Sequence, residues 1–169
     1  IMMNSCGMLI FLRTFDMVFI RKEGQFAEKM RLCFGIVDQS LPHLRKGLRS
    51  KEDMEAAAKI LKGRKVAKGL RFIVVPATNT IFKQAIERGY IRTFIEAGAV
   101  ICHPCCGLCC GMPYGLMTDD ERILLTANRN FIGRQGTKKT LSYLSSPTVA
   151  AATAVMGVVT DPADLPELA

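Results

Sequence analysis

The sequence predicts an α/β domain whose sheet is at least partly parallel. Two short and almost wholly apolar runs, at 71–75 and 99–102, are typical of strands that are covered on both faces. Segments whose apolar residues recur with helical spacing precede and separate these runs. Because helices that alternate with strands usually connect parallel strands, this order of elements predicts an α/β fold.

Three helices are predicted around these two strands. The first spans 52–62, where the apolar residues have helical spacing and Gly63 provides a stop. Asn79 is predicted to cap a second helix that ends at Gly89, and a third helix spans 91–97.

The second half of the chain predicts one more strand and one more helix. The strand lies at 122–126, and the helix spans 147–156 with Ser146 as its N-cap residue and Pro147 in its first turn. Between the elements, 104–115 is a loop rich in glycine and cysteine that follows the second strand. Open α/β sheets tend to bind ligands at the carboxyl ends of their strands, so this loop is the predicted site.

The N-terminal part of the chain carries no motif and no repeat. Residues 1–45 are therefore an unassigned N-terminal segment, in which 24–35 could form a helix. The α/β domain is predicted to span 46–169.

Composition limits the possible settings and partners. No uncharged apolar run is long enough to span a bilayer, so a soluble protein with no membrane partner is predicted. The net charge of +8 favours anionic ligands, with Lys and Arg concentrated before residue 72. No aromatic residue lies among these cations between 44 and 70, and stacking on bases requires aromatic side chains. A solvated basic face is therefore favoured over a nucleic-acid surface.

The seven cysteines indicate a reduced, cytoplasmic protein with bound metal. Their number is odd, and four of them lie within 105–110, unlike the spaced set of a secreted disulfide framework. Cys106 and Cys109 have the Cys-x-x-Cys spacing of a metal-ligand pair, as do Cys102 and Cys105. Spacing alone leaves open a four-cysteine zinc site, an iron–sulfur cluster, and buried or redox-active thiols.

Two arginines form a second candidate site. Arg129 and Arg134 lie five residues apart around Gly133, and a guanidinium group can bind a carboxylate through two parallel hydrogen bonds. Together they could hold a dicarboxylate. The alternative is a pair of exposed loop arginines without a ligand.

A set of motifs extends these two sites into a family pattern. In chain order they are KGRKVA at 62–67, VVP at 74–76, FIEAGA at 94–99, PCCGLC at 104–109, NRNFIGR at 128–134, YLSSP at 143–147 and VAAA at 149–152. In this order and spacing, the stretch from 52 to about 165 resembles the C-terminal part of the aconitase superfamily, and most closely its branch of 3-isopropylmalate dehydratase and homoaconitase large subunits. The resemblance implies a three-layer α/β/α domain with a mostly parallel sheet.

The resemblance also implies an activity and a set of site residues. The activity is that of a hydro-lyase, which isomerises a hydroxy di- or tricarboxylate such as isopropylmalate, in leucine biosynthesis, by removing and re-adding water. In this family a [4Fe-4S] cluster is held by three cysteines, and Cys106 and Cys109 match the second and third of them. Arg129 and Arg134 match the arginines that contact substrate carboxylates, while Asn128 matches a residue near the cluster. The implied partners are a small polycarboxylate substrate and a small swivelling subunit.

This chain departs from the family pattern at the first cluster ligand. The family has that cysteine in an SCTNGR segment, where this chain reads LPHLRKGLRS at 41–50. The third cluster ligand is therefore not identified, and no catalytic residue is assigned. The chain is expected to be a partial or frame-disrupted copy of a longer large subunit, with little or no activity alone. The alternatives are an inactive fragment and a non-catalytic zinc-binding module that uses Cys102, Cys105, Cys106 and Cys109.

Overall fold

Helices and strands are interspersed along the chain, as in an α/β fold. The computed structural model describes residues 15–22, 50–105, 116–119, 121–126 and 132–167. In chain order the elements are β1 (Phe15–Lys22), α1 (Ser50–Leu61), β2 (Arg71–Pro76), α2 (Asn79–Glu87), α3 (Tyr90–Ala97), β3 (Val100–Ile101), β4 (Glu121–Leu125), β5 (Leu141–Leu144), α4 (Pro147–Met156) and a 3-10 helix (Pro162–Asp164). No helix in these ranges is both long and apolar enough to cross a membrane.

Five strands form one sheet in the order β3-β2-β1-β4-β5. The pairs β2–β3 and β4–β5 are parallel, whereas β1 is antiparallel to both of its neighbours, β2 and β4. Four of the five strands therefore run in the same direction. The predicted α/β class with a mostly parallel sheet is confirmed.

One face of the sheet carries the larger apolar core. Phe72, Val74 and Leu124 point to this face and pack against the four helices. The buried helical residues in this cluster are Met54, Ala57, Ala58 and Leu61 of α1, Ala85 of α2, Ile91, Phe94 and Ala97 of α3, and Ala150, Ala151 and Ala154 of α4. The small alanine side chains allow α4 to approach its neighbours closely.

The opposite face carries a second apolar cluster. Ile73 and Val75 of β2 alternate with the residues of the first face, and Ile123 and Leu125 of β4 do the same. Cys102 and Met117 complete this cluster, and all its members are at most 8% exposed. Strands buried on both faces explain why the apolar runs in the sequence are continuous rather than alternating.

The helix ends follow local sequence signals. Ser146 Oγ accepts a hydrogen bond from Val149 N at 3.2 Å, which confirms the predicted cap of α4. The predicted cap of α2 was wrong by one residue. Thr78, with extended backbone angles, is the N-cap residue, and its Oγ1 accepts a hydrogen bond from Ile81 N at 3.2 Å. Asn79 is the first residue of the helix.

Two strands were not predicted from the sequence. One is β5, a four-residue edge strand that pairs with β4. The other is β1, which lies within the unassigned N-terminal segment and occupies the centre of the sheet. The domain boundary at residue 46 stays a prediction.

Candidate functional site

The cysteine loop (102–116) and the arginine loop (126–134) begin at the same edge of the sheet. The first follows β3 and the second follows β4. Because β1 is antiparallel to both β2 and β4, and β3 is parallel to β2, the carboxyl ends of β3 and β4 point the same way. This is the edge at which open α/β sheets bind ligands.

Most of the predicted site residues lie outside the described residues. These are Cys106, Cys109, Asn128 and Arg129. Arg134 is described, and its side chain is exposed. The structure thus gives the origin and the end of each loop and the position of one of the two predicted arginines.

The start of the cysteine loop continues the sheet. Cys102 N donates to Val74 O at 2.9 Å, which extends the pairing of β3 with β2 by one residue. The Cys102 side chain is 8% exposed and packs in the second apolar cluster. Such burial among aliphatic side chains is typical of a small core residue. His103 is exposed and its ring meets that of Phe82 edge-on, with the centroids 5.6 Å apart.

The described metal-ligating side chains do not form a metal site by themselves. Cys102 is buried whereas Cys105, three residues later, is exposed. Within the described ranges, no group of three or more His, Cys, Asp or Glu side chains is placed to hold a metal ion. The described residues alone therefore do not make up a complete cluster site. The predicted cluster ligands Cys106 and Cys109 lie outside the described residues.

Arg134 lies in a positively charged turn. Gly133, with φ +76, allows the chain to reverse just before it, and Lys138 and Lys139 follow within five residues. Lys139 Nζ forms an ion pair with Asp119 Oδ2 at 3.0 Å. Hydrogen bonds from Thr137 and Lys139 hold the pKa of the Asp119 carboxyl below its usual value. Asp119 therefore stays ionised and stabilises the turn.

Glu121 and Arg64 also have structural partners. Glu121 Oε1 accepts from Arg71 Nη2 at 2.8 Å, and its Oε2 accepts from Thr118 N at 2.9 Å. In the basic segment after α1, Arg64 donates to Ile60 O and Pro166 O, both at 2.8 Å, and so ties the C-terminal tail to the end of α1. These charges thus contribute to folding.

Sequence reasoning missed one residue beside Arg134. Gln135 is 2% exposed, and its backbone carbonyl oxygen accepts a hydrogen bond from Met117 N at 2.7 Å. The ends of the two loops therefore touch. A glutamine between an arginine and a glycine in a polar loop gives no sign of burial, so only the following Gly136 hinted at a close backbone approach.

The comparisons with known proteins agree with this architecture. The model of the aconitase family (aconitate hydratase) matches residues 49–157. The 3-isopropylmalate dehydratase large subunit of Caldicellulosiruptor bescii is 54% identical over 114 residues, which are 68% of this chain and 27% of that protein. A 3-isopropylmalate dehydratase large subunit of Archaeoglobus fulgidus is 50% identical over 111 residues, covering 66% of this chain and 27% of the relative.

A relative with a different named substrate matches about as well. The 2,3-dimethylmalate dehydratase large subunit of Eubacterium barkeri is 49% identical over 114 residues, 68% of this chain and 27% of that protein. The chain thus spans about a quarter of the length of these curated relatives. Both loops and all helices from α1 to α4 fall within the residues that the family model matches, and β1 lies before them. The chain belongs to the aconitase family.

Proposed function

We propose that this chain is the C-terminal part of a hydro-lyase large subunit that dehydrates and rehydrates an alkyl-substituted malate, such as 2- or 3-isopropylmalate in leucine biosynthesis. The observation that carries the proposal is the match of residues 49–157 to the aconitase family. It is supported by relatives whose names specify dehydratases of two branched malates. These substrates share two carboxylates and an alkyl branch, so the substrate class is inferred more firmly than the individual acid.

The role of the chain is to hold the substrate by its carboxylates. Arg134 presents an exposed guanidinium in the loop that leaves the carboxyl end of β4, and Arg129, in the same loop, is expected to join it. Two fixed guanidinium groups orient a dicarboxylate, so that the carbon atoms that lose hydroxide and proton stay in register with the rest of the site. Asn128 is proposed to lie nearby as a hydrogen-bonding group.

The rest of the catalytic machinery is assigned outside the described residues. Cys106 and Cys109 are the proposed ligands of a [4Fe-4S] cluster, and the third ligand is not identified in this chain. The acid–base groups are expected from the parts of a large subunit that this sequence does not cover and from a small swivelling subunit. We therefore expect the isolated chain to bind substrate without turning it over. A cytoplasmic location, inferred from the cysteine pattern, remains part of the proposal.

Substitution of Arg134 tests the carboxylate site directly. Arg134→Lys keeps the positive charge but loses the two-pronged hydrogen-bonding geometry, so the dissociation constant for 3-isopropylmalate should rise about tenfold. Isothermal titration calorimetry on the full chain measures this change. The matched control is Arg92→Lys, because Arg92 is an exposed arginine of α3 whose Nε pairs with Glu96 at 2.7 Å. Equal affinities for both variants would contradict the proposed role.

Neighbouring cysteines offer a matched test of the cluster ligands. After anaerobic incubation with iron and sulfide, Cys106→Ser should lower the iron content and the visible absorbance of the chain. Cys105→Ser should leave both unchanged, because Cys105 matches no ligand position. A colourless wild-type chain that retains stoichiometric zinc would refute the hydro-lyase proposal and favour the zinc-binding module.

A further inference from the structure

The ends of the cysteine loop and the arginine loop are joined by a compact set of contacts. Met117 N donates to Gln135 O at 2.7 Å, and Met117 forms a parallel bridge with Gly136. Ser142 Oγ of β5 donates to Gln135 Oε1 at 3.2 Å. We call these four residues, Met117, Gln135, Gly136 and Ser142, the interloop clasp.

Gly136 is required at its position for two reasons. Its φ of +146° is one that residues with a side chain rarely adopt. In addition, a Cβ atom there would lie 2.2 Å from Met117 O and 2.8 Å from Met117 N. Both near atoms belong to the backbone, so a side-chain rotation cannot relieve the clash. Any larger residue at 136 must push the two loop ends apart.

The two sides of the interloop clasp, Met117 and Gln135, are both buried. Met117 is 2% exposed and packs in the second apolar cluster with Cys102 and Ile123. Gln135 is also 2% exposed, and its side chain is held by Ser142 on the edge strand β5. Within the described residues Gln135 Nε2 has no hydrogen-bond partner.

Two further contacts join the same two segments. Thr140 Oγ1 donates to Thr118 O at 3.3 Å, and Lys139 forms an ion pair with Asp119 at 3.0 Å. Residues 117, 118 and 119, which follow the cysteine loop, therefore each contact a residue of the segment 136–140, which follows the arginine loop. This makes the contact a defined junction instead of a single hydrogen bond.

We propose that the interloop clasp holds the end of the cysteine loop, at Met117, beside Arg134, and that Gln135 is a positioning residue for this arginine. Gln135 is the next residue after Arg134. Its backbone carbonyl oxygen accepts a hydrogen bond from the backbone N–H of Met117, which directly follows the cysteine loop. A shift of either loop end is therefore passed to the other. The effect on substrate binding rests on the proposed function, whereas the mechanical link between the loops does not.

The test compares three variants of the full chain. Gly136→Ala separates the loop ends sterically, and Ser142→Ala removes only the hydroxyl that holds Gln135. Ser142→Thr keeps a hydroxyl and suits a strand, so it should rescue the wild-type behaviour. Gly69→Ala is the control, because Gly69 also has a positive φ, of +77, but a Cβ there would contact nothing within 4 Å.

Two measurements are made on each variant that keeps the wild-type circular dichroism spectrum. Hydrogen–deuterium exchange of the peptides that cover 105–119 reports the cysteine loop, with the peptides of α3 as an internal reference. Exchange in 105–119 should rise at least tenfold in Gly136→Ala and at least threefold in Ser142→Ala, with no change in α3 or in Gly69→Ala. Calorimetry should show weaker binding of 3-isopropylmalate in the same two variants.

The outcomes separate the two proposals. Wild-type exchange in a folded Gly136→Ala chain would overturn the clasp, and if that variant does not fold, wild-type exchange in Ser142→Ala would do so. Failure of Ser142→Thr to restore wild-type exchange would also contradict it. A wild-type chain that does not bind 3-isopropylmalate would instead contradict the proposed function, and the exchange comparison would still decide the clasp.

Discussion

The half-buried carboxylate of Asp53 makes the stability of the fold depend on pH. It lies in the first turn of α1, and in the described part of the chain its Oδ2 is buried without a hydrogen-bond partner. Burial, and secondly the charge of Glu52, raise the pKa of Asp53 above its ordinary value of 3.8. At a pH below the pKa that Asp53 has in the unfolded chain, the carboxyl is neutral in both states and its burial costs no ionisation energy. As the pH rises through the higher pKa that Asp53 has in the folded chain, the carboxyl ionises while buried, and the free energy of unfolding falls.

Asp53→Asn should therefore stabilise the chain in a pH-dependent way. Near pH 3 both side chains are neutral and the two proteins should melt at about the same temperature. As the pH rises towards 7, the wild type bears the cost of the ionised carboxylate, and its melting temperature should fall below that of the variant. Thermal unfolding followed by circular dichroism measures the gap. Glu52→Gln, which removes the secondary cause, should give a smaller change of the same sign, and parallel melting curves across this range would disprove the assignment.

Neighbouring residues also mark the limit of sequence reasoning. Thr78 and Asn79 are both good capping residues, and the choice between them depends on which one has extended backbone angles. Gln135 is another case, because nothing in its own side chain distinguishes a buried glutamine from an exposed one. Arg134 was predicted as a site residue because its chemistry is that of a carboxylate ligand, and this role stays a prediction. Gln135 was missed because its role comes from a tertiary contact with Met117.

At the scale of elements, prediction succeeded where local signals agree with tertiary packing. Helix α4 has a capping serine, a proline in its first turn and Gly157 with φ +71 at its end, and its bounds were predicted correctly. Strand β2 was equally clear because a continuous apolar run fits burial on both faces. By contrast, β5 has one exposed leucine, Leu141, and a polar Ser142, so its four residues do not show a strand pattern. Its place in the sheet comes from pairing with β4.

The sequence predicted which loops make up the candidate site, but not the contact between the ends of these loops. Loops that follow β3 and β4 must emerge at one edge of the sheet once the strand directions are known, and the motifs placed cysteines in one loop and arginines in the other. The contact between the loop ends depends on Gly136 approaching the Met117 backbone, which is a tertiary feature. The distances among Cys106, Cys109 and Arg129 lie beyond the described residues.

At the scale of the whole molecule, β1 joins two halves of the sheet. Within the described residues, the pair β2–β3 and the pair β4–β5 are connected as a sheet through this strand alone. Its register places Val18 opposite Ile73 on one side and opposite Leu125 on the other. Yet β1 lies before the residues that match the aconitase family. A segment outside the family match thus occupies the centre of the fold, and motif-based reasoning could not find it.

Val18→Pro tests whether this central strand stabilises the protein. Proline cannot donate to the ladder and its ring disturbs the pairing, so the substitution in a strand with neighbours on both sides should lower the free energy of unfolding by about 2–4 kcal/mol. Phe15→Pro is the matched control, because proline is tolerated at the first residue of a strand and, among the residues that the structure describes, Phe15 pairs with Pro76 alone. Urea denaturation of the full chain measures the free energy of unfolding of both variants. If Val18→Pro cost no more than Phe15→Pro, the two strand pairs would have to be held together by the helices of the first face alone, and β1 would not be the central strand in solution.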